Sequence, residues 1–133
     1  MTAPEPVRPM HTLAAEIEVG PASREMSDWF LLAVGWTAGT AHFRWANPAG
    51  EPVGYDALPD PTQCLDDIAA IERESGAEVT AWVGPSVSRA KVYLSADWVT
   101  VSHGRAAGDH AEARSRCAAL CRALAARTPT GQP

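Results

Sequence analysis

Apolar residues recur near the end of the chain at Ala113, Cys117, Leu120, Cys121 and Leu124. They form one stripe at helical period and predict a helix from Asp109 to about Ala126. Asp109 reads as its N-cap, with Glu112 completing a capping-box pattern. Before it, three runs alternate instead: Val79, Ala81 and Val83 against Glu78, Thr80 and Trp82; Ala90, Val92 and Leu94 against Arg89, Lys91 and Tyr93; Val99 and Val101 against Trp98, Thr100 and Ser102. Period two with short connections predicts an antiparallel meander. Its second face carries Trp82, Tyr93 and Trp98. That face is either covered by the N-terminal helices or exposed as an aromatic patch.

Upstream, Thr12 is placed to cap a short helix in which Leu13 and Ile17 share a face. Gly20-Pro21 stops it and starts a second helix over about 22–34, with Met26, Trp29, Phe30, Ala33 and Val34 on one side. HFRWA and EPVGY read as a weak hairpin around the Asn47–Gly50 turn, with Pro52 suited only to an edge strand. Asp60-Pro61 then opens a third helix, whose Cys64, Leu65, Ile68 and Ile71 face inward while Asp66, Asp67, Glu72 and Glu74 face solvent. These elements give an α+β fold: a meander of three to five strands sandwiched between N-terminal helices and the central and C-terminal helices. Residues 11–127 form a single domain, with 36–56 as a hairpin insert and proline-rich tails at 1–10 and 128–133 expected to be disordered.

Composition alters this picture only in places. At 133 residues, 46% apolar and 20% charged, the chain suits one globular core. Its net charge of −5 disfavours direct nucleic-acid binding of the general phosphate-backbone kind. The charge is uneven. Residues 51–78 hold eight acids against Arg73 alone, and residues 89–127 hold seven Lys and Arg against three acids. Complementarity between neighbouring elements is the simpler explanation; an acidic partner-binding face (Asp60, Asp66, Asp67, Glu72, Glu74) is the other. Three cysteines and no targeting or membrane-spanning segment point to a soluble protein of the reducing cytoplasm.

The chemistry-bearing residues do not assemble into an active site. Cys64, Cys117 and Cys121 occupy apolar stripe positions, lack a CxxC pair, and read as packing residues rather than metal ligands. No HExxH, GxSxG or SxxK motif occurs, so the expectation is a non-enzyme without cofactor or metal. Two features invite binding. His103, Arg105 and His110 bracket a loop before the last helix that would suit an anion or nucleotide. Five tryptophans exceed what a small core hides, and Trp45, Trp82, Trp98 and Tyr93 are the aromatic candidates for a binding surface.

The order LAAEIEVGPASREMSDWFLLAVGW, then PDPTQCLDDIAAI, then GRAAGDHAEARSRCAALCRALAAR resembles the phage α-β-α sandwich domain family over roughly residues 12–126. The chain departs from that pattern in its long Trp36–Asp56 insert and in AAGDHAEARSRC, where those proteins run from Ala-Thr-Pro into the helix. The resemblance implies a three-layer fold and a phage or prophage setting, and carries no catalytic residues over. The expected function is therefore a small accessory protein acting by stoichiometric binding in the host cytoplasm. Its expected target is a host or phage protein complex such as a host defence component, in the manner of an anti-CRISPR. Alternatives are a nucleotide or small-molecule binder using residues 103–110, and a virion assembly component. A homodimer is compatible with all three.

Overall fold

In the computed structural model, which describes residues 9–38, 45–95 and 99–127, helices flank strands in an α+β arrangement. Helix α1 spans Met10–Val19, α2 Arg24–Ala33, α3 Leu65–Glu74 and α4 Ala111–Arg127. Strands β4 (Ala77–Val83), β5 (Ser88–Ser95) and β6 (Val99–Ala106) form the expected antiparallel meander in the order β4-β5-β6. The insert builds a separate small sheet from β1 (Thr37–Ala38), β2 (Trp45–Ala46) and β3 (Pro52–Val53). Among the described residues β3 pairs only with β2, so Pro52 lies on an edge strand, where proline is tolerated. The expected tails, His42, Phe43, Asp97 and Trp98 lie wholly or mostly outside the described residues.

The inner face of the meander and helix α4 make the core. Ala90, Val92 and Leu94 of β5 and Ala106 of β6 are buried, as are all five stripe residues of α4. Ala118, Ala119 and Ala123 are buried as well, because α4 packs against β5 and β6 on one side and α1 and α3 on others. The alanines permit that approach. Gly104 shows how close it is: a Cβ there would stand 2.0 Å from the Ser115 carbonyl oxygen and 2.8 Å from the Ala119 nitrogen. Only glycine lets the helix backbone rest on the strand at this point.

Several helix starts differ from expectation. α1 begins at Met10 after Pro9, which leaves Thr12 inside the helix and not at its cap. α2 begins at Arg24, three residues beyond Pro21, because Ser23 caps it by accepting a hydrogen bond from the Met26 N–H. α3 begins at Leu65 and not at Pro61. Asp60 instead anchors a turn: its carbonyl accepts from the Gln63 and Cys64 N–H groups, and its carboxylate accepts from Ser27 and Gln63. α4 begins at Ala111, two residues past Asp109, so the capping box is not formed as expected.

One arginine of α4 proves to be central. Arg114 is only 3% exposed. Its guanidinium donates to the carbonyls of Ile17 (3.1 Å) and Glu18 (2.7 Å) at the end of α1, and to Ala107 (2.7 Å) and Asp109 (2.8 Å) before α4. A helix C-terminus is electron-rich and leaves carbonyls unpaired, so one planar cation satisfies two acceptors there and two more in the segment before α4.

Candidate functional site

Strand alternation decides which side chains leave the core. In β4 to β6, Glu78, Thr80, Trp82, Arg89, Lys91, Val101, His103 and Arg105 point outward and are exposed, and Tyr93 is half-buried. Of the two possibilities for the second face, the described residues show the exposed one. Register arranges them in rows across the three strands: Trp82–Arg89–Arg105, then Thr80–Lys91–His103, then Glu78–Tyr93–Val101. Neighbours in a row stand on strands about 4.8 Å apart, so each row presents one contiguous surface.

The Trp82 row ends in a cleft of about 760 Å³ at the corner where this face meets the outer edge of β6. Trp82, Val83, Gly84, Val87 and Arg89 of the β4–β5 hairpin line one side, and His103, Arg105, Glu18 and Arg122 the other. That volume falls within the range of small-molecule sites. The back of the cleft is braced. Arg122 grips Glu18 through two contacts of 2.5 and 2.6 Å and donates to the His103 carbonyl, while Glu18 accepts the Arg105 N–H at 2.8 Å. Burial works to raise the Glu18 carboxyl, but the Arg122 guanidinium and the Arg105 N–H outweigh it and hold its pKa below the ordinary value. Glu18 and Arg122 are thus committed to each other. Trp82, Arg89 and Arg105 are left to face a ligand, and Trp82 is 52% exposed.

Sequence reasoning placed some of these residues and misplaced others. His103 and Arg105 belong to β6 and not to a loop, and His110, exposed with a positive φ of 55°, is not among the cleft residues. Trp45 packs in the core beside Trp36, so it offers no binding surface. The acidic set disperses. Glu72, expected in solvent, is 4% exposed and bonded through both oxygens to Arg116. Asp67 accepts from the Asp60 N–H, and Asp60 is held in its turn; of the five, only Asp66 and Glu74 are exposed. Trp82 and Tyr93 do lie on the open face, where Arg89 and Lys91 join them. Those two cations were missed as site residues, although the alternation that set them beside Tyr93 was visible.

The two thiols of α4 face inward, whereas Cys64 is half-buried and Leu65, expected to face inward, is 44% exposed at the start of α3. Burial pushes Cys121 up to about 12, and burial with the neighbouring Cys121 drives Cys117 well above the ordinary thiol range. The Cys117 thiol rests 3.4 Å from the Pro61 carbonyl. Among the described residues no group of three His, Cys, Asp or Glu is placed to hold a metal ion, and no helix is long and apolar enough to cross a membrane. No protein-family model, no curated protein and no solved structure matches this chain.

Proposed function

We propose that this protein is a non-enzymatic binding module that acts by stoichiometric occupation, and that its working surface is the outer face of β4–β6 with the adjoining cleft. One observation carries the reading: Trp82, Arg89 and Arg105 stand in a single cross-strand row, unburied, at the mouth of a cleft on a chain whose net charge is negative. A flat ring beside two guanidinium forks suits a ligand that is both planar and anionic. Among the described residues lining the cleft no nucleophile–base pair accompanies them, so the arrangement supports holding such a ligand more than transforming it. In the phage or prophage setting that the sequence resemblance implies, the occupied target would be a host component. The acidic surface of α3 supports this less well, because Glu72, Asp67 and Asp60 are spent on internal contacts.

Backbone amide shifts during titration with a mononucleotide, a short oligonucleotide and an acidic peptide test the proposal. The expected result is saturable one-to-one movement at Trp82, Arg89, His103 and Arg105 with at least one of them. Movement confined to α3 would relocate the function to the acidic helix, and no movement with any of the three would remove the proposal.

A further inference from the structure

Resting on that sheet-face reading, we infer that the ligand class is single-stranded nucleic acid, with bases stacked on Trp82 and Tyr93 and phosphates held by Arg89, Lys91 and Arg105. The charge is the first ground. Among the described residues this face carries those three cations and His103 against one carboxylate, Glu78, with Glu18 at the edge of the cleft near Arg105 but bound to Arg122. Four arginines elsewhere are consumed internally, Arg24 by Asp28 and two carbonyls, Arg114 by four carbonyls, Arg116 by Glu72 and Glu112, Arg122 by Glu18, while Arg73 stands exposed on the acidic helix α3. Arg89 and Lys91 make no ion pair or side-chain hydrogen bond among the described residues. The net charge of −5 does not oppose this, because screening confines each field to about 8 Å at physiological salt.

Spacing is the second ground. Arg89 and Lys91 are two residues apart on one strand, a step of about 6.8 Å, and Arg105 and His103 repeat that step on the next strand. The Arg89–Lys91 line of positive charge, with Arg105 beside it on the next strand, fits a ligand whose negative charges recur along its length. The rings decide between one strand and two. An exposed Trp82, with Val101 and Val83 exposed on the same sheet, has a use against an unstacked base, whereas a duplex hides its base faces. An acidic protein would answer the cations but leave that ring without a role.

Fluorescence anisotropy of labelled twelve-nucleotide dT and rU strands with the full chain tests the inference. Saturable binding is expected, with a slope of log affinity on log salt near −2, from about −0.7 for each of three phosphates. Arg89→Glu with Arg105→Glu should weaken it by at least about thirty-fold, and Trp82→Ala by about ten-fold, with Trp82→Phe retaining most of the affinity. All these side chains are exposed, and circular dichroism should show each variant folded. Absence of binding, indifference to these substitutions, or equal affinity for a duplex would overturn the inference. If the acidic peptide or the mononucleotide moves the amides of this face while no strand binds, the nucleic-acid assignment falls and the sheet-face function stands. If nothing moves them, both fall.

Discussion

The two faces of the β4–β6 meander are made from alternate residues of the same three strands, yet they obey different rules. Inward, Ala90, Val92, Leu94, Gly104 and Ala106 are small or aliphatic, and each is chosen by what α4 leaves room for. Outward, Trp82, Arg89, Lys91, His103 and Arg105 are larger than a solvated sheet requires and touch little. Packing explains the first set. Nothing in the fold explains the second, and a surface whose composition the fold does not dictate is where function is to be sought. The contrast extends to the arginines: Arg114 is enclosed and makes four bonds to carbonyls, whereas Arg89 stands exposed.

The inner face should break at its tightest point. Gly104→Ala puts a Cβ into backbone atoms of α4, which cannot swing aside as a side chain would. Urea unfolding should show a loss of about 3 kcal/mol or more, at the upper end of overpacking costs. A loss below about 1 kcal/mol would mean that α4 does not rest on β6 as described. Arg114→Met should cost slightly less, about 3 kcal/mol, since it keeps the stem but leaves four carbonyls without their donor. Arg114→Lys should recover only part, because one ammonium cannot span acceptors on both sides of the α1–α4 junction.

Much of this inner architecture was legible in the sequence. The 113/117/120/121/124 stripe, the β5 run and the Leu13/Ile17 pair specify burial through period alone and are buried. Val79 and Ala81 of β4 are half-buried, while Val83 and Val101, expected inward, are exposed, Val101 because the register sets it in one row with Tyr93 on the outer face. Helix starts were less legible, because Ser23, Asp60 and Asp109 each advertise a cap and local hydrogen bonding chose among them. Arg114 was illegible in principle. Two of its four partners are backbone carbonyls nearly a hundred residues away, and no side-chain pattern announces any of the four. Glu72 failed for a related reason: a charge at a helix position facing Arg116 looks solvated until the neighbouring helix is in place. For the candidate site, Trp82, Tyr93, His103 and Arg105 could be named, but their grouping needed the register, which set residues 82, 89 and 105 in one row.

The thiols of α4 give a pH test of the same interior. Cys121 keeps its proton up to about 12 when folded, against an ordinary 9.0, so between these values the unfolded chain binds fewer protons than the folded one. A raised folded pKa means that stability is full below pH 9 and declines as pH rises towards 12. At pH 10 the decline attributable to Cys121 is about 1 kcal/mol. Cys121→Ala should therefore show a shallower alkaline loss than the native chain, whatever its stability at pH 7. Parallel curves would mean that the thiol is wetter than its surroundings suggest.

The smallest expected effect falls on the outer face, and it bears most directly on the comparison. Trp82→Ala, Arg89→Ala and Lys91→Ala remove exposed groups with few partners, so each should change unfolding stability by no more than about 0.5 kcal/mol. Cross-strand neighbours contribute at most about 1 kcal/mol to an antiparallel pair, and Trp82 opposite Arg89 lies one pair from the end of the ladder. Gly104→Ala and Trp82→Ala sit on opposite faces of the same sheet, and the first should exceed the second several-fold. A loss at Trp82 approaching that at Gly104 would show that the ring is structural. The outer face would then be explained by the fold, and the ground for assigning it a ligand would be gone.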